Sequence, residues 1–320
     1  MIVFCVIIIV LAVIVAAVFA AVGYEGFKTV CVPKPKEPPK DALRIEREKW
    51  RKANNDYLYS LNPEDLSIVT PDSVTLRAWF APAEKMSKRF VICVHGHRCN
   101  GPDECSHILR FFRNTLGYNY LLPDLRAHGR SEGKYITFAG RDHKDILLWV
   151  DYIVKRFGND IEVVLYGISM GAATVMLANC ANPPVQVKLV IEDCGFTNGF
   201  EEVKLVARNF VKGKKILDIP MRATNIYCRL LAKFDLIRES DPLGRMKNAK
   251  NPVLFIHGDK DALVPVSMCH RLYEACPVKK DIFIAEGSLH AFSYYDKKEE
   301  YEKKIVNFLE QTIGVEADTL

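Results

Sequence analysis

The 320-residue sequence predicts an α/β fold, a mostly parallel central sheet flanked by helices with a helical insertion late in the chain. Short apolar runs bounded by turn residues alternate with stretches of helical period. The later runs lack the polar alternate positions of a half-solvated strand, so both faces of their sheet must be covered. The last helical stretch repeats Ile305, Phe308, Leu309 and Ile313 at i, i+3, i+4 spacing, the stripe of a helix packed on such a sheet.

Taken in order, residues 1–24 carry no charged side chain, which is long enough for a helix to cross a hydrocarbon core of about 30 Å. A cleaved signal peptide is the rival reading, because Phe19-Ala20-Ala21 resembles a cleavage site. No Lys or Arg precedes the run and its apolar core exceeds a usual leader, so an uncleaved transmembrane anchor is expected. Lys28, Lys34, Lys36 and Lys40 all follow the span. The positive-inside rule then predicts a single-pass cell-membrane protein with its body in the cytoplasm. Residues 25–60 read as a linker, basic and Pro-rich at "VPKPKEPPK" (32–40), followed by a charged juxtamembrane helix near 41–59. The body is expected over 61–314, and 315–320 form a tail.

Within the body, strands are expected at 66–70, 75–82, 90–94, 118–122, 162–166, 188–192, 252–256 and 281–285. Helices are expected at 103–114, 140–157, 171–181, 265–275 and 293–313. Between about 195 and 250 two helix-like stretches replace the alternation and no strand is legible, which marks the insertion. A net charge of +5 is too small to imply a nucleic-acid partner. Ten cysteines, scattered rather than set in a short framework, read as free thiols of a reducing compartment.

The chemistry centres on "VVLYGISMGAATVM", where an apolar strand runs into Gly167-x-Ser169-x-Gly171 and a helix begins. A sharp strand-to-helix turn exposes a serine hydroxyl only if no side chain crowds it, and Gly167 and Gly171 leave that room. A serine needs a base and a group to orient that base. Downstream, "VLFIHGDKDALVP" supplies Asp259 and Asp261 just past a buried strand, and "GSLHAF" supplies His290 after the next one. Asp261 is expected as the orienting acid and Asp259 as a turn residue. Two backbone amides complete such a site as an oxyanion hole: that of Met170, after the serine, and that of His97, after the strand ending "VICVHGH". His95, His97, Cys99, Cys105 and His107 fit no zinc spacing, so no metal is expected. No cofactor is called for.

With "HGH" at 95–97, "DLRAHGRSEG" at 124–133, "GISMG" at 167–171, "HGDKDALVP" at 257–265 and "GSLHAF" at 287–292, the chain resembles the α/β-hydrolase superfamily. Within it the sequence looks like membrane-anchored esterase or lipase-like serine hydrolases of Gram-positive bacteria. The resemblance implies that Ser169, Asp261 and His290 match nucleophile, acid and base, and that the insertion is a lid. Asp124, Arg126 and His128 match a loop that braces the site. Phe196, Phe200, Leu205, Val206, Phe210, Ile216, Ile219, Ile226, Tyr227 and Leu230 are apolar enough to line an acyl pocket. The lid's basic residues read first as a solvated face and second as a contact for anionic lipid. The expected substrate is a small-molecule or lipid ester, with peptidase, thioesterase or acyltransferase chemistry, or non-catalytic binding, as alternatives.

Overall fold

The computed structural model describes residues 2–34, 42–208 and 218–314. Among them, eight strands form one sheet: β1 (Glu64–Val69), β2 (Thr75–Ala81), β3 (Arg89–Val94), β4 (Asn119–Pro123), β5 (Glu162–Ile168), β6 (Val187–Asp193), β7 (Val253–Gly258) and β8 (Lys280–Ala285). Their order is β1-β2-β4-β3-β5-β6-β7-β8, antiparallel at β1-β2-β4 and parallel from β4 to β8. Period-2 geometry sends alternate residues of β5 to opposite faces. Val163 and Leu165 join one apolar cluster, Val164 and Tyr166 the other, which is why the run contains no polar alternation.

The helices are α1 (Ile2–Cys31), α2 (Ala42–Ser60), α3 (Gly101–Cys105), α4 (Asp142–Phe157), α5 (Met170–Cys180), α6 (Gly199–Arg208), α7 (Asp218–Leu231), α8 (Pro242–Arg245), α9 (Val266–Ala275), α10 (Ser293–Asp296) and α11 (Lys298–Ile313). One face of the sheet buries α4, α5 and α9 through Trp149, Ala173 and Leu272, and the other buries α11 through Ile305 and Phe308. The helix expected at 103–114 is instead α3, a 3-10 turn at Ser106–Ile108 and a π turn at Phe111–Thr115. Phe111 and Phe112, in the π turn, are both buried. The helix expected at 293–313 breaks at Lys297, which leaves helical geometry at φ −130°.

The boundary expected between anchor and linker at 24/25 does not exist as a break. Helix α1 is 30 residues long, about 45 Å, so its first two thirds suffice for a membrane span. Its first turns are exposed, whereas Gly23, Phe27, Val30 and Cys31 are buried against the body. The approach to α7 is close: a Cβ on Gly23 would lie 2.5 Å from Ala223 Cβ. The last carbonyls of α1, which no helical amide can satisfy, receive donors from the body. Arg98 Nη2 donates to Thr29 O at 2.5 Å, His97 Nε2 to Val30 O at 3.2 Å and Ile136 N to Cys31 O at 2.8 Å. Most of the Pro-rich linker lies outside the described residues, as do Lys36, Lys40 and the tail. Helix α2 is not a free juxtamembrane element: Leu58 is buried and Asn55 donates to Asp103 at 2.7 Å.

Candidate active site

The carboxyl ends of β3, β5, β7 and β8 converge, and each delivers one expected site residue. At the end of β5, Ser169 has φ 57°, a left-handed conformation that costs energy for any side chain with a Cβ. Its neighbours explain how the turn is tolerated. A Cβ on Gly167 would sit 2.3 Å from Gly171 O, and one on Gly171 would sit 2.0 Å from Val94 O. Strand, turn and α5 can therefore pack only with glycine at both positions. Burial of Ala172, Ala173 and Leu177 locks the helix beneath the serine.

His290 spans the remaining two residues. Its Nε2 lies 2.9 Å from Ser169 Oγ and its Nδ1 lies 2.6 Å from Asp261 Oδ2. The other oxygen of Asp261 accepts Leu263 N at 2.9 Å and Val264 N at 2.8 Å, so the carboxylate is aimed by its own loop. Burial opposes its ionised form, but hydrogen bonds from His257 and His290 outweigh this and hold Asp261 well below the usual carboxylate range. Asp259 takes the local turn, accepting Gly287 N at 2.6 Å.

The loop after β3 is held from three sides. Gly96 N donates to Glu104 Oε2 at 2.6 Å, and Arg98 N donates to His128 Nε2 at 3.0 Å. Asp124 accepts Gly101 N and Arg130 N at 2.8 and 2.9 Å. The intervening amide of His97, and that of Met170, have no hydrogen-bond acceptor among the described residues. Burial and the Arg98 charge push the His97 imidazole down to about 4, so it is neutral and donates to α1.

Two donor sets bear on metal binding. His95, His97 and His107 are committed elsewhere: His95 accepts Leu125 N at 3.0 Å, His97 reaches Val30, and His107 packs between the rings of Trp50 and Tyr294. Ligand atoms of Cys194, Asp261 and His290 lie within 4.8 Å of one another. This set fits a metal poorly, since both His290 nitrogens already face partners and burial drives the Cys194 thiol far above its ordinary value.

Three residues with no expected role stand at the site. His257, fully buried, places Nε2 2.8 Å from Val264 O and 3.3 Å from Asp261 Oδ2. Burial lowers its affinity for a proton, but Asp261 and Glu192 more than compensate and raise it. Burial pushes the Glu192 carboxyl up to about 8. Glu202 of α6 is also pushed up to about 8, by burial and then by Asp261 and Glu201, and its Oε2 is buried without a hydrogen-bond partner. The carboxylates of "VIEDCG", closing an otherwise apolar strand, were the available signal for Glu192.

A cavity of about 500 Å³ opens onto Ser169 and Met170. Phe138, Phe196, Val203, Val206 and Met221 make it largely apolar, Glu202 is its buried acid, and Gly26, Thr29 and Val30 of α1 close one side. Among the described residues, the insertion supplies fewer wall residues than its composition suggested. Phe196 and Val206 face the cavity, whereas Ile219, Ile226 and Leu230 point outward at 63%, 46% and 59% exposure. The reason is the docking of α1, which occupies the inner face of α7 through Ala223, Thr224 and Tyr227. Phe210 and Ile216 fall outside the described residues.

Comparison with known proteins bears on the family and the fold. Residues 91–224 match the alpha/beta hydrolase family. The chain is 30% identical over 222 residues to the uncharacterized protein YqkD of Bacillus subtilis, covering 69% of this chain and 70% of that one. It is 23% identical over 226 residues to the uncharacterized membrane protein YNL320W of Saccharomyces cerevisiae, 67% of this chain and 68% of the other. Among solved structures, the Pyrococcus furiosus esterase Pf2001 superposes with a TM-score of 0.67 at 21% identity, over 88% of this chain and 98% of the esterase.

Proposed function

The chain belongs to the alpha/beta hydrolase family, and within it we propose a serine hydrolase acting on carboxylic esters. The observation that carries this reading is the continuous relay Ser169–His290–Asp261, with contacts of 2.9 and 2.6 Å. Asp261 is ionised, so His290 keeps its Nδ1 proton on that side and presents a lone pair at Nε2 to the serine. Ser169 Oγ attacks the ester carbonyl carbon as its proton passes to His290 Nε2. The amides of His97 and Met170 receive the negative oxygen. His290 then protonates the departing alkoxide, leaving an acyl-serine and a free alcohol. Water repeats the sequence and releases the carboxylic acid. Every proton is taken and returned by His290, and the chemistry needs no cofactor.

Esters are favoured over peptides because the cavity is apolar, and the likeness to the Pyrococcus esterase points the same way. Helix α1 reads as an uncleaved membrane anchor, since it runs unbroken through Ala20-Ala21 into turns that pack on the body. The lysines after the span favour a cytoplasmic body. Replacing Ser169 with Ala tests the reading: fluorophosphonate labelling of the full chain should vanish while the melting temperature stays nearly unchanged. Undiminished labelling would remove Ser169 as nucleophile.

A further inference from the structure

Three features meet at the last third of α1. Gly26, Thr29 and Val30 form part of the cavity wall beside Ser169. The carbonyls of Thr29 and Val30 hold the side chains of Arg98 and His97, the loop that carries the His97 amide. Finally, Gly26 directly follows Glu25, the first charged residue after the apolar span. One residue is about 1.5 Å of helix, so the cavity begins at the level where the span leaves the hydrocarbon.

The packing of α7 fixes its direction relative to α1. Gly23 meets Ala223, and Cys31 Sγ lies 3.6 Å from Cys228 Sγ, so α1 and α7 run side by side in the same sense. Ile219, one turn before Ala223, therefore lies toward the membrane end of α1, and it is solvent-exposed and apolar. The two helices pack without a gap at Gly23 and Gly26, so the apolar surface at Ile219 and the apolar cavity lie on the same tightly packed pair. A short, soluble ester needs no apolar cavity at that level. A chain already dissolved in the leaflet gains from it, because it exchanges one apolar surrounding for another.

We propose that the cavity binds the acyl chain of a membrane-resident ester and that α1 is both anchor and pocket wall. This rests on the serine-hydrolase reading for turnover, but the binding step does not need it. A soluble body tethered at a distance would have placed no residue of α1 at the serine.

The test uses the full chain in phosphatidylcholine vesicles containing a palmitoyl glycerol with a diazirine in its acyl chain. In the Ser169→Ala protein, photolysis should attach the probe within residues 26–30 and 202–207. Thr29→Trp and, from α6, Val206→Trp should reduce that attachment. In the Ser169 background each should lower the ratio of kcat/KM for vesicle-borne p-nitrophenyl laurate over p-nitrophenyl acetate by about tenfold. Adducts confined to residues 2–22, or an unchanged ratio in both variants, would overturn the proposal. Correctly placed adducts with no fluorophosphonate labelling and no ester turnover would sink the hydrolase reading and leave the acyl site standing. Ester turnover with adducts elsewhere would do the reverse.

Discussion

His257 Nε2 lies 3.3 Å from Asp261 Oδ2, the same oxygen that His290 Nδ1 reaches at 2.6 Å. One carboxylate oxygen is thus held by two imidazoles, one bonded to Ser169 and one fully buried. The second explains why a buried aspartate stays ionised where burial alone would neutralise it.

Replacing His257 with Leu should weaken that hold. A carboxylate held below its unfolded value stabilises the fold above about pH 4, and this is lost as pH falls toward the folded value. The variant keeps less of that contribution, so its acid unfolding midpoint, followed by circular dichroism, should move to higher pH. On the proposed serine-hydrolase function, the rate of ester hydrolysis should fall with it.

Glu192 has the opposite sign. Its carboxyl is pushed up to about 8, so stability is lost progressively as pH rises from the unfolded value near 4.3 to about 8. Glu192→Gln keeps an acceptor for Gly195 N, which donates to Glu192 Oε2 at 2.9 Å, and removes the ionisation. The melting temperature should therefore rise in the variant at pH 8.5 by more than it does at pH 5.5. Equal shifts at both pH values would contradict a buried titrating acid.

Glu202 lines the cavity with an unpartnered oxygen and is pushed up to about 8 by burial. Below that value it is neutral, and above it a negative charge enters an apolar pocket beside the developing oxyanion. The kcat/KM of the native chain should fall above about pH 8 on this account. In Glu202→Gln that alkaline decline should be reduced, which pH–rate profiles on one ester measure directly.

Gly171→Ala should be severe, because the new Cβ would lie 2.0 Å from Val94 O and backbone on both sides would have to part. Overpacking of this kind costs about 3 kcal/mol. Urea unfolding of the variant should show it as a lower midpoint at unchanged slope.

Strand positions were legible because β3 to β7 bury both faces, so their apolar runs are continuous. The elbow was legible because steric demand at Gly167 and Gly171 is local, as is the order of Ser169, Asp261 and His290. The reach of α1 was less so. An uncharged-run criterion stops at Tyr24, yet Gly23, Phe27, Val30 and Cys31 follow at i, i+4, i+7 and i+8, a packing stripe present in the sequence. The direction of the α7 residues was not legible at all. An amphipathic helix shows which residues share a face but not which partner covers it, and Ile219, Ile226 and Leu230 proved to be on the uncovered side.

By itself the sequence determined the α/β architecture, the membrane-length helix and the residues that meet at the serine. Each rests on periodicity, length or local sterics, which a chain carries wherever it goes. Only the tertiary structure decided that His257 shares Asp261, that Glu202 is buried in the cavity, and that α1 walls it. Those facts are contacts between segments far apart in the chain, made favourable by burial and partner geometry that exist only once the elements have packed.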